Sequence, residues 1–504
     1  MKHYLFIMLF FTSVFFAQDK RESILDKISY VDTTLYTEIP QVPRWCDKLE
    51  LEKQKINTGD CNLYVEEEGA GIPIILINGG PGGTHHYFHP WFSEAAKYAR
   101  IIYYDQRGCG LSDFNPGKEG YSVEQAVNDL EAIRKELKID KWVLLGYSYG
   151  GFLAQYYTTK YPQNTAGLIL VGASPNIDID DNDSREDMFV TREENERLDK
   201  IRTDLNAMYK AGRLTKEKLI QLLIFNNYIN ADWKRQNFYK PTRERTAEMA
   251  LYEWVNDSNF NSIMNNSENK IDLTGAFNLC PIPTLILEGK WDLTWSEKKK
   301  EALKTNHPGS RMIVFENAGH GIYDEETACF FASVKEFITN LTPVDKNALE
   351  KYAEYLEKRE KEMAASPKHI INSVNWGIAS SKTLAQKYSR EWLNSIKDQN
   401  EYLRIGFALY DTDNYNEALY VFEQMEKIFS SSSVTKAMAL IWQGHMLDLL
   451  GKRNDAVLRY KAAYDMDLDT TLQNGQYGLN YKISPYSKER MNTPFVKKEN
   501  RQTD

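Results

Sequence analysis

The sequence predicts an α/β fold with an inserted helical lid, followed by a separate all-α region. Three observations predict it. Short apolar strands alternate with amphipathic helices over about residues 50–175. That rhythm pauses over residues 178–275, which are polar, charged and helical in tendency, and then two further strands appear. From about residue 343 the pattern reads as purely helical. The chain has 504 residues, 42% of them hydrophobic and 26% charged, which are ordinary globular values. A wholly disordered, collagen-like or polytopic membrane protein is therefore excluded. The formal net charge is −9, with no long Lys/Arg run. Nucleic-acid binding usually rests on a basic face, and none is offered here.

The chain opens with Lys2 and then fourteen apolar or small residues, Tyr4–Ala17, before charge resumes at Asp19, Lys20 and Arg21. A membrane span needs about 20 apolar residues, so residues 1–17 are expected to be a signal peptide cut after Ala17. The mature protein is then expected to be secreted or periplasmic, with no stable membrane span. Residues 18–342 form the expected α/β domain. Its strands are Pro73–Asn78, Arg100–Asp105, Trp142–Gly146 and Gly167–Gly172, nearly continuous in apolar residues, as a sheet covered on both faces requires. Between them Ser122–Leu137 places Val123, Val127, Leu130, Ile133 and Leu137 on one helical face, and Ser122 with Gln125 reads as a capping box. The strands resume at Thr284–Glu288 and Arg311–Phe315, followed by a helix near Glu326–Thr339.

Residues 343–504 carry an internal repeat. Gly406, Ala418 and Phe422 recur as Gly444, Ala456 and Tyr460. Gly–x11–Ala–x3–aromatic is the skeleton of a tetratricopeptide helix pair, in which small residues let paired helices approach. Ser430–Ser433 lengthens the connection between the two copies. Such pairs predict a protein partner for the tail.

Five cysteines do not make a disulfide framework. Cys46 and Cys61 are close enough in sequence to pair in an oxidising compartment, and free buried thiols are the equal alternative. His85, His86 and His89 have the spacing of metal ligands, but no nearby Cys or His cluster completes a zinc set. No metal and no organic cofactor are predicted.

Gly146-Tyr147-Ser148-Tyr149-Gly150 is a G-x-S-x-G run directly after a predicted strand and before a predicted helix. In that context the motif marks a nucleophile elbow, which lifts a serine oxygen above the sheet. A serine alcohol needs a base to become a nucleophile. His320 lies in a loop beyond a strand end, between Gly319 and Gly321, whereas His307 precedes its strand at the opposite end. Asp292 follows the strand TLILE and fits the acid that orients the imidazole. Glu288 lies within that strand, and Asp324 comes after the histidine. The predicted triad is Ser148, Asp292 and His320. An oxyanion needs two backbone N–H groups: one from Tyr149, the other from the glycine loop Asn78–Gly83.

Taken together, these residues resemble the prolyl iminopeptidase family of α/β hydrolases. The shared pattern is the loop Asn78–Gly82, the run Asp105–Ser112 (DQRGCGLS), the elbow Gly146–Gly150, then Asp292 and His320. The match covers roughly residues 50–342. The resemblance implies an α/β-hydrolase sheet and places the second oxyanion N–H on Gly80. The family's His before G-G-P-G is Asn78 here, and its Trp after the serine is Tyr149. Neither change removes a backbone N–H. Family members bind the substrate's free amine with lid glutamates, which makes Glu248 and Glu253 the candidates by region. The expected activity is a secreted serine hydrolase releasing N-terminal proline or a similar residue. The rivals are a carboxylester hydrolase with the same triad, and a tetratricopeptide binding protein with a vestigial hydrolase domain.

Overall fold

The apolar runs of the sequence become the middle of an eight-stranded sheet. In the computed structural model, residues 34–114, 120–177, 192–230, 241–257, 259–268, 270–375, 379–474 and 479–497 are described. The expected signal peptide lies outside the described residues, as does the opening of the expected lid at 178–191. The strands are β1 (Glu52–Asn57), β2 (Asn62–Gly69), β3 (Pro73–Ile77), β4 (Arg100–Tyr104), β5 (Trp142–Tyr147), β6 (Thr165–Val171), β7 (Thr284–Gly289) and β8 (Arg311–Phe315). Their order is β1-β2-β4-β3-β5-β6-β7-β8. β2 runs antiparallel to β1 and β4, and the pairs from β4 through β8 are parallel. β5 is buried at every position, because helices cover both sheet faces.

β1 and β2 escape the apolar pattern for a physical reason. β1 reads EKQKIN and buries only Ile56, which suits an edge strand guarded by lysines. β2 buries Glu66 and Glu67 because both carboxylates find partners, as described below for Glu66 and in an Arg100 ion pair for Glu67.

The first helix, α1 (Val123–Glu136), starts as expected: Ser122 Oγ accepts the Gln125 N–H at 3.1 Å. The reciprocal half of the capping box is not made. The Gln125 side chain donates instead to Asp129 Oδ1 at 2.9 Å, and Asp129 also holds the buried Arg107 guanidinium. The elbow helix α2 (Tyr149–Lys160) follows β5. The described part of the lid contains α3 (Arg192–Lys210), α4 (Lys216–Asn230), α5 (Arg243–Glu248) widening into the turn Met249–Glu253, and α6 (Phe260–Glu268). Leu205, Leu222, Phe225 and Ile229 form a small core there with Ile39 of the N-terminal segment.

The chain divides into two compact units, residues 1–356 and 357–504. The first extends past the expected end at residue 342. Tyr352 is fully buried in the sheet unit's core. Its hydroxyl donates to Ala276 O at 3.0 Å, and Tyr355 donates to Gly275 O at 2.6 Å. The second unit is helix-rich. A Cβ added to Gly406 would lie 2.6 Å from the Phe422 ring, and one on Gly444 would lie 2.4 Å from the Tyr460 ring, so each glycine lets an aromatic of the next helix press on its backbone. The sequence reads as purely helical here, but the unit also holds a strand pair. Thr471–Asn474 and Leu479–Lys482 pair as an antiparallel ribbon.

Candidate active site

The site is built where β5 gives way to α2. Ser148 sits in this turn with φ 55° and ψ −120°, a left-handed conformation that costs an L-residue about 1–2 kcal/mol. The turn closes tightly: Ser148 N–H donates to Val171 O at 2.9 Å, and Ser148 O accepts from Gly151 and Ser174 N–H. Gly146 and Gly150 are needed by close approach. A Cβ on Gly146 would lie 2.3 Å from Gly150 O, and one on Gly150 would lie 2.1 Å from Ile77 O. Ser148 therefore stands at the N-terminus of α2, beside helix N–H groups that have no intrahelical partner.

Asp292 follows β7 and is fully buried. Its Oδ1 accepts the Thr294 N–H at 2.8 Å, and its Oδ2 lies 2.7 Å from His320 Nδ1. A carboxylate only accepts, so Nδ1 carries a proton, and in the neutral ring Nε2 holds the lone pair. Burial alone would raise the Asp292 carboxyl; the charge and hydrogen bond of His320, with Lys300, hold it below the usual carboxylate range. Behind Asp292, Glu288 is buried in β7, and neither carboxyl oxygen has a hydrogen-bond partner among the described residues. Burial, reinforced by Asp292, pushes its carboxyl well above the usual carboxylate range.

The glycine loop lies against the elbow. A Cβ on Gly79 would sit 3.1 Å from Ser148 Cβ. Asn78 Nδ2 donates to Gly83 O at 3.2 Å and to Tyr104 O at 3.1 Å, fastening both ends of the loop. Gly80 has φ +125° and lines the same cavity as Ser148, Tyr149 and His320. This cavity has a volume of about 280 Å³, and Tyr87, Tyr147, Trp254, Trp295 and Tyr323 give it aromatic walls.

Its charged lining is Arg245, Glu268 and Asp324. Glu248 and Glu253, the amine-binding candidates, are not in that lining. Glu253 is fully buried and ion-paired with Arg245. Glu248 accepts the Trp45 Nε1–H at 3.1 Å and lies 3.8 Å from Arg245. Burial pushes Glu268 up to about 7, with a Ser174 hydrogen bond opposing it. Burial likewise pushes Asp324 up to about 6, with Arg245 opposing it. Sequence reasoning missed Arg245, Glu268 and Asp324 as cavity residues. No spacing distinguishes them from the other charges of the lid and loops.

Of the two early cysteines, both are buried free thiols. Cys61 Sγ faces Asp113 O at 3.7 Å, and Cys46 Sγ lies 3.8 Å from Asp47 Oδ1.

Several known proteins are similar to this chain. A family model described as the alpha/beta hydrolase fold matches residues 72–327, half of the chain. The chain is 30% identical over 284 residues to a proline iminopeptidase of Saccharolobus solfataricus, covering 55% of this chain and 89% of the relative. It is 28% identical over 266 residues to a proline iminopeptidase of Thermoplasma volcanium, covering 50% and 84%. Among solved structures, a proline iminopeptidase of Mycobacterium smegmatis superposes with a TM-score of 0.38 at 20% identity, covering 57% of this chain and 98% of that one.

Proposed function

The chain belongs to the α/β hydrolase fold family, and from that premise we propose that it is a serine hydrolase releasing N-terminal proline or a similar residue from peptides. One observation carries the reading: the 2.7 Å pair of Asp292 and His320 borders the cavity into which the strained Ser148 turn opens. Ser148 Oγ attacks the scissile carbonyl while His320 Nε2 takes its proton. The oxyanion is held by the N–H groups of Gly80 and Tyr149. His320 then gives the proton to the leaving amine, and water releases the acyl group by the reverse sequence. Asp292 keeps the imidazole in its working tautomer. The small aromatic cavity suits one residue's side chain, and Glu268 and Asp324 supply negative charge for the substrate's terminal ammonium. The names of the relatives favour proline.

Two further readings belong with this one. The first 17 residues direct export of the chain, and the repeated glycine–aromatic contacts of the tail support tetratricopeptide-like pairs that hold a peptide or protein partner.

The test is a substrate panel on the purified chain, with proline-arylamide, other aminoacyl-arylamides and short acyl esters, and Ser148→Ala as control. Proline-arylamide turnover that vanishes in Ser148→Ala is expected, with stoichiometric labelling of Ser148 by an organophosphonate. Turnover of esters alone would make the protein an esterase. Turnover surviving in Ser148→Ala would remove the serine mechanism altogether.

A further inference from the structure

Immediately after the glycine loop, the fold assembles a buried cluster that hydrolysis does not use. Cys46 lies in the short turn Trp45–Asp47, Glu66 lies in β2, and His85 opens the turn His85–Phe88. One donor atom from each, a thiol sulfur, a carboxylate oxygen and an imidazole nitrogen, lie within 4.8 Å of one another. The three residues are 1%, 0% and 2% exposed.

Each nitrogen and oxygen ligand is aimed by a partner. The Asp105 carboxylate lies 2.9 Å from His85 Nδ1 and accepts the His85 backbone N–H at 2.8 Å. Nδ1 therefore carries a proton, and a metal that displaces any proton from Nε2 meets its lone pair pointing inward. That Nε2 has no hydrogen-bond partner among the described residues and lies 3.6 Å from Glu66 Oε1. Glu66 is fixed from outside by the Tyr64 hydroxyl on Oε1 and by His89 Nε2 at 2.9 Å from Oε2. His89 is itself stacked on Tyr103. The Cys46 Sγ lies 3.8 Å from Asp47 Oδ1 and also interacts with the His85 side chain. A histidine oriented by a carboxylate through its far nitrogen is the usual outer-shell arrangement of metal-ligating imidazoles.

We propose that Cys46, Glu66 and His85 bind a zinc ion. A mixed sulfur, nitrogen and oxygen set suits zinc and excludes calcium and magnesium, which take oxygen ligands. Zinc bonds of about 2.0–2.3 Å in a tetrahedron set donor atoms about 3.3–3.8 Å apart, and the His85–Glu66 spacing of 3.6 Å falls in that range. Binding deprotonates the Cys46 thiol and releases that proton to solvent. The thiolate and the Glu66 carboxylate then balance the double positive charge. The fourth position falls to water. Such a site fastens the N-terminal turn to β2 and to the residue that follows the oxyanion loop. Sequence inspection around His85 found no ligand set because Cys46 and Glu66 arrive only through the fold.

The test uses the purified full chain, stripped with a chelator and titrated with zinc chloride against a competing indicator. About one zinc per chain is expected, with affinity at least about 100-fold weaker in His85→Gln, the loss of a ligand exceeding the 10–100-fold cost of losing an outer-shell partner. Cobalt-loaded wild type should show a thiolate-to-cobalt charge-transfer band together with the visible bands of a four-coordinate ion. That band should be lost in Cys46→Ser and kept in Cys61→Ser, which alters the other buried early thiol. Wild type that takes up no stoichiometric zinc overturns the proposal, and leaves His85 as an imidazolium between Asp105 and Glu66. A cobalt spectrum without thiolate character overturns it too, and needs no variant to fold.

Discussion

Gly172 offers the sharpest test of whether the Asp292–His320 geometry sets the rate. It follows β6 with φ +49°, and a Cβ there would lie 3.0 Å from His320 Nδ1 and 3.2 Å from Asp292 Oδ2. Gly172→Ala therefore does two separable things. It forces an alanine into a left-handed conformation, costing about 1 kcal/mol. It also inserts a methyl group into contacts tighter than nearly all real Cβ contacts, so the 2.7 Å pair must move by a few tenths of an ångström. A displacement of 1 Å in a catalytic group can cost about 100-fold, so a few tenths should cost about tenfold in kcat, or about 1.4 kcal/mol. KM should change little, because the methyl meets the acid–base pair. The control is Gly212→Ala, at φ +71° with no atom within 4 Å of the added Cβ. It carries the backbone strain without the collision. Proline-arylamide kinetics per titrated serine, with denaturant unfolding for stability, separate the two. Equal stability losses with turnover lost only in Gly172→Ala are expected. If both variants turn over within about twofold of wild type, well under a tenfold rate step, the geometry of this pair does not limit the reaction.

Three other outcomes follow from the same structure. Asp292→Asn should lower kcat by about 10⁴-fold with the fold intact; a loss under about threefold, checked by the same titrated kinetics, would show that another acid serves. Because burial raises Glu268 to about 7, its carboxylate is present above that pH and is neutralised as pH falls. The kcat/KM for proline-arylamide relative to an amine-free ester should drop about tenfold from pH 8 to pH 6, with Asp324 adding to the loss near 6. Glu268→Gln should flatten most of that ratio, and an unchanged profile in the variant would remove Glu268 from amine recognition. A chain ending at Pro343 loses the buried Tyr352 and its bond to Ala276 O, which should destabilise the sheet unit by about 3–5 kcal/mol. A chain ending at Ser366 keeps both, and equal urea midpoints for the two would contradict that role for Tyr352.

What could be read from the sequence follows burial. β3 to β8 were legible because most are buried on both faces and read as unbroken apolar runs. β1 and β2 were not: the edge strand β1 reads EKQKIN with no apolar run, and the burial of Glu66 in β2 depends on His89 arriving from elsewhere. Ser148 was legible because its turn needs glycines at fixed positions. Asp292 and His320 were legible because both follow strands on the same sheet edge as the elbow. The cavity's charges were not. Glu248, Glu253 and Glu268 all lie in polar helical stretches, and only the packed lid decides which carboxyl turns inward. The tail boundary failed for a similar reason: Tyr352 sits in a charged helix, and its burial comes from Ala276, far away in sequence.

The same accounting bears on peptidase against esterase chemistry. Arg245 and Glu253 are a buried pair, and removing one partner of such a pair costs about 3–5 kcal/mol. Arg245 is thus committed to Glu253, and its charge does not cancel both remaining acids of the cavity. In the cavity lining, Asp324 Oδ1 is nevertheless buried with no hydrogen-bond partner among the described residues. Each such oxygen costs about 1–3 kcal/mol or more when left unpaired. A neutral ester supplies no donor and leaves the cost in place. A terminal ammonium, the secondary ammonium of proline included, carries N–H donors and positive charge, and beside Asp324 and Glu268 it would relieve that cost while lowering both raised carboxyls toward their ionised forms. The burial penalty stored in the free site is therefore returned when a substrate with a free amine binds. On this ground the acidic lining favours the aminopeptidase reading, with Asp324 and Glu268 taking the part that the lid position of Glu248 and Glu253 had suggested for them.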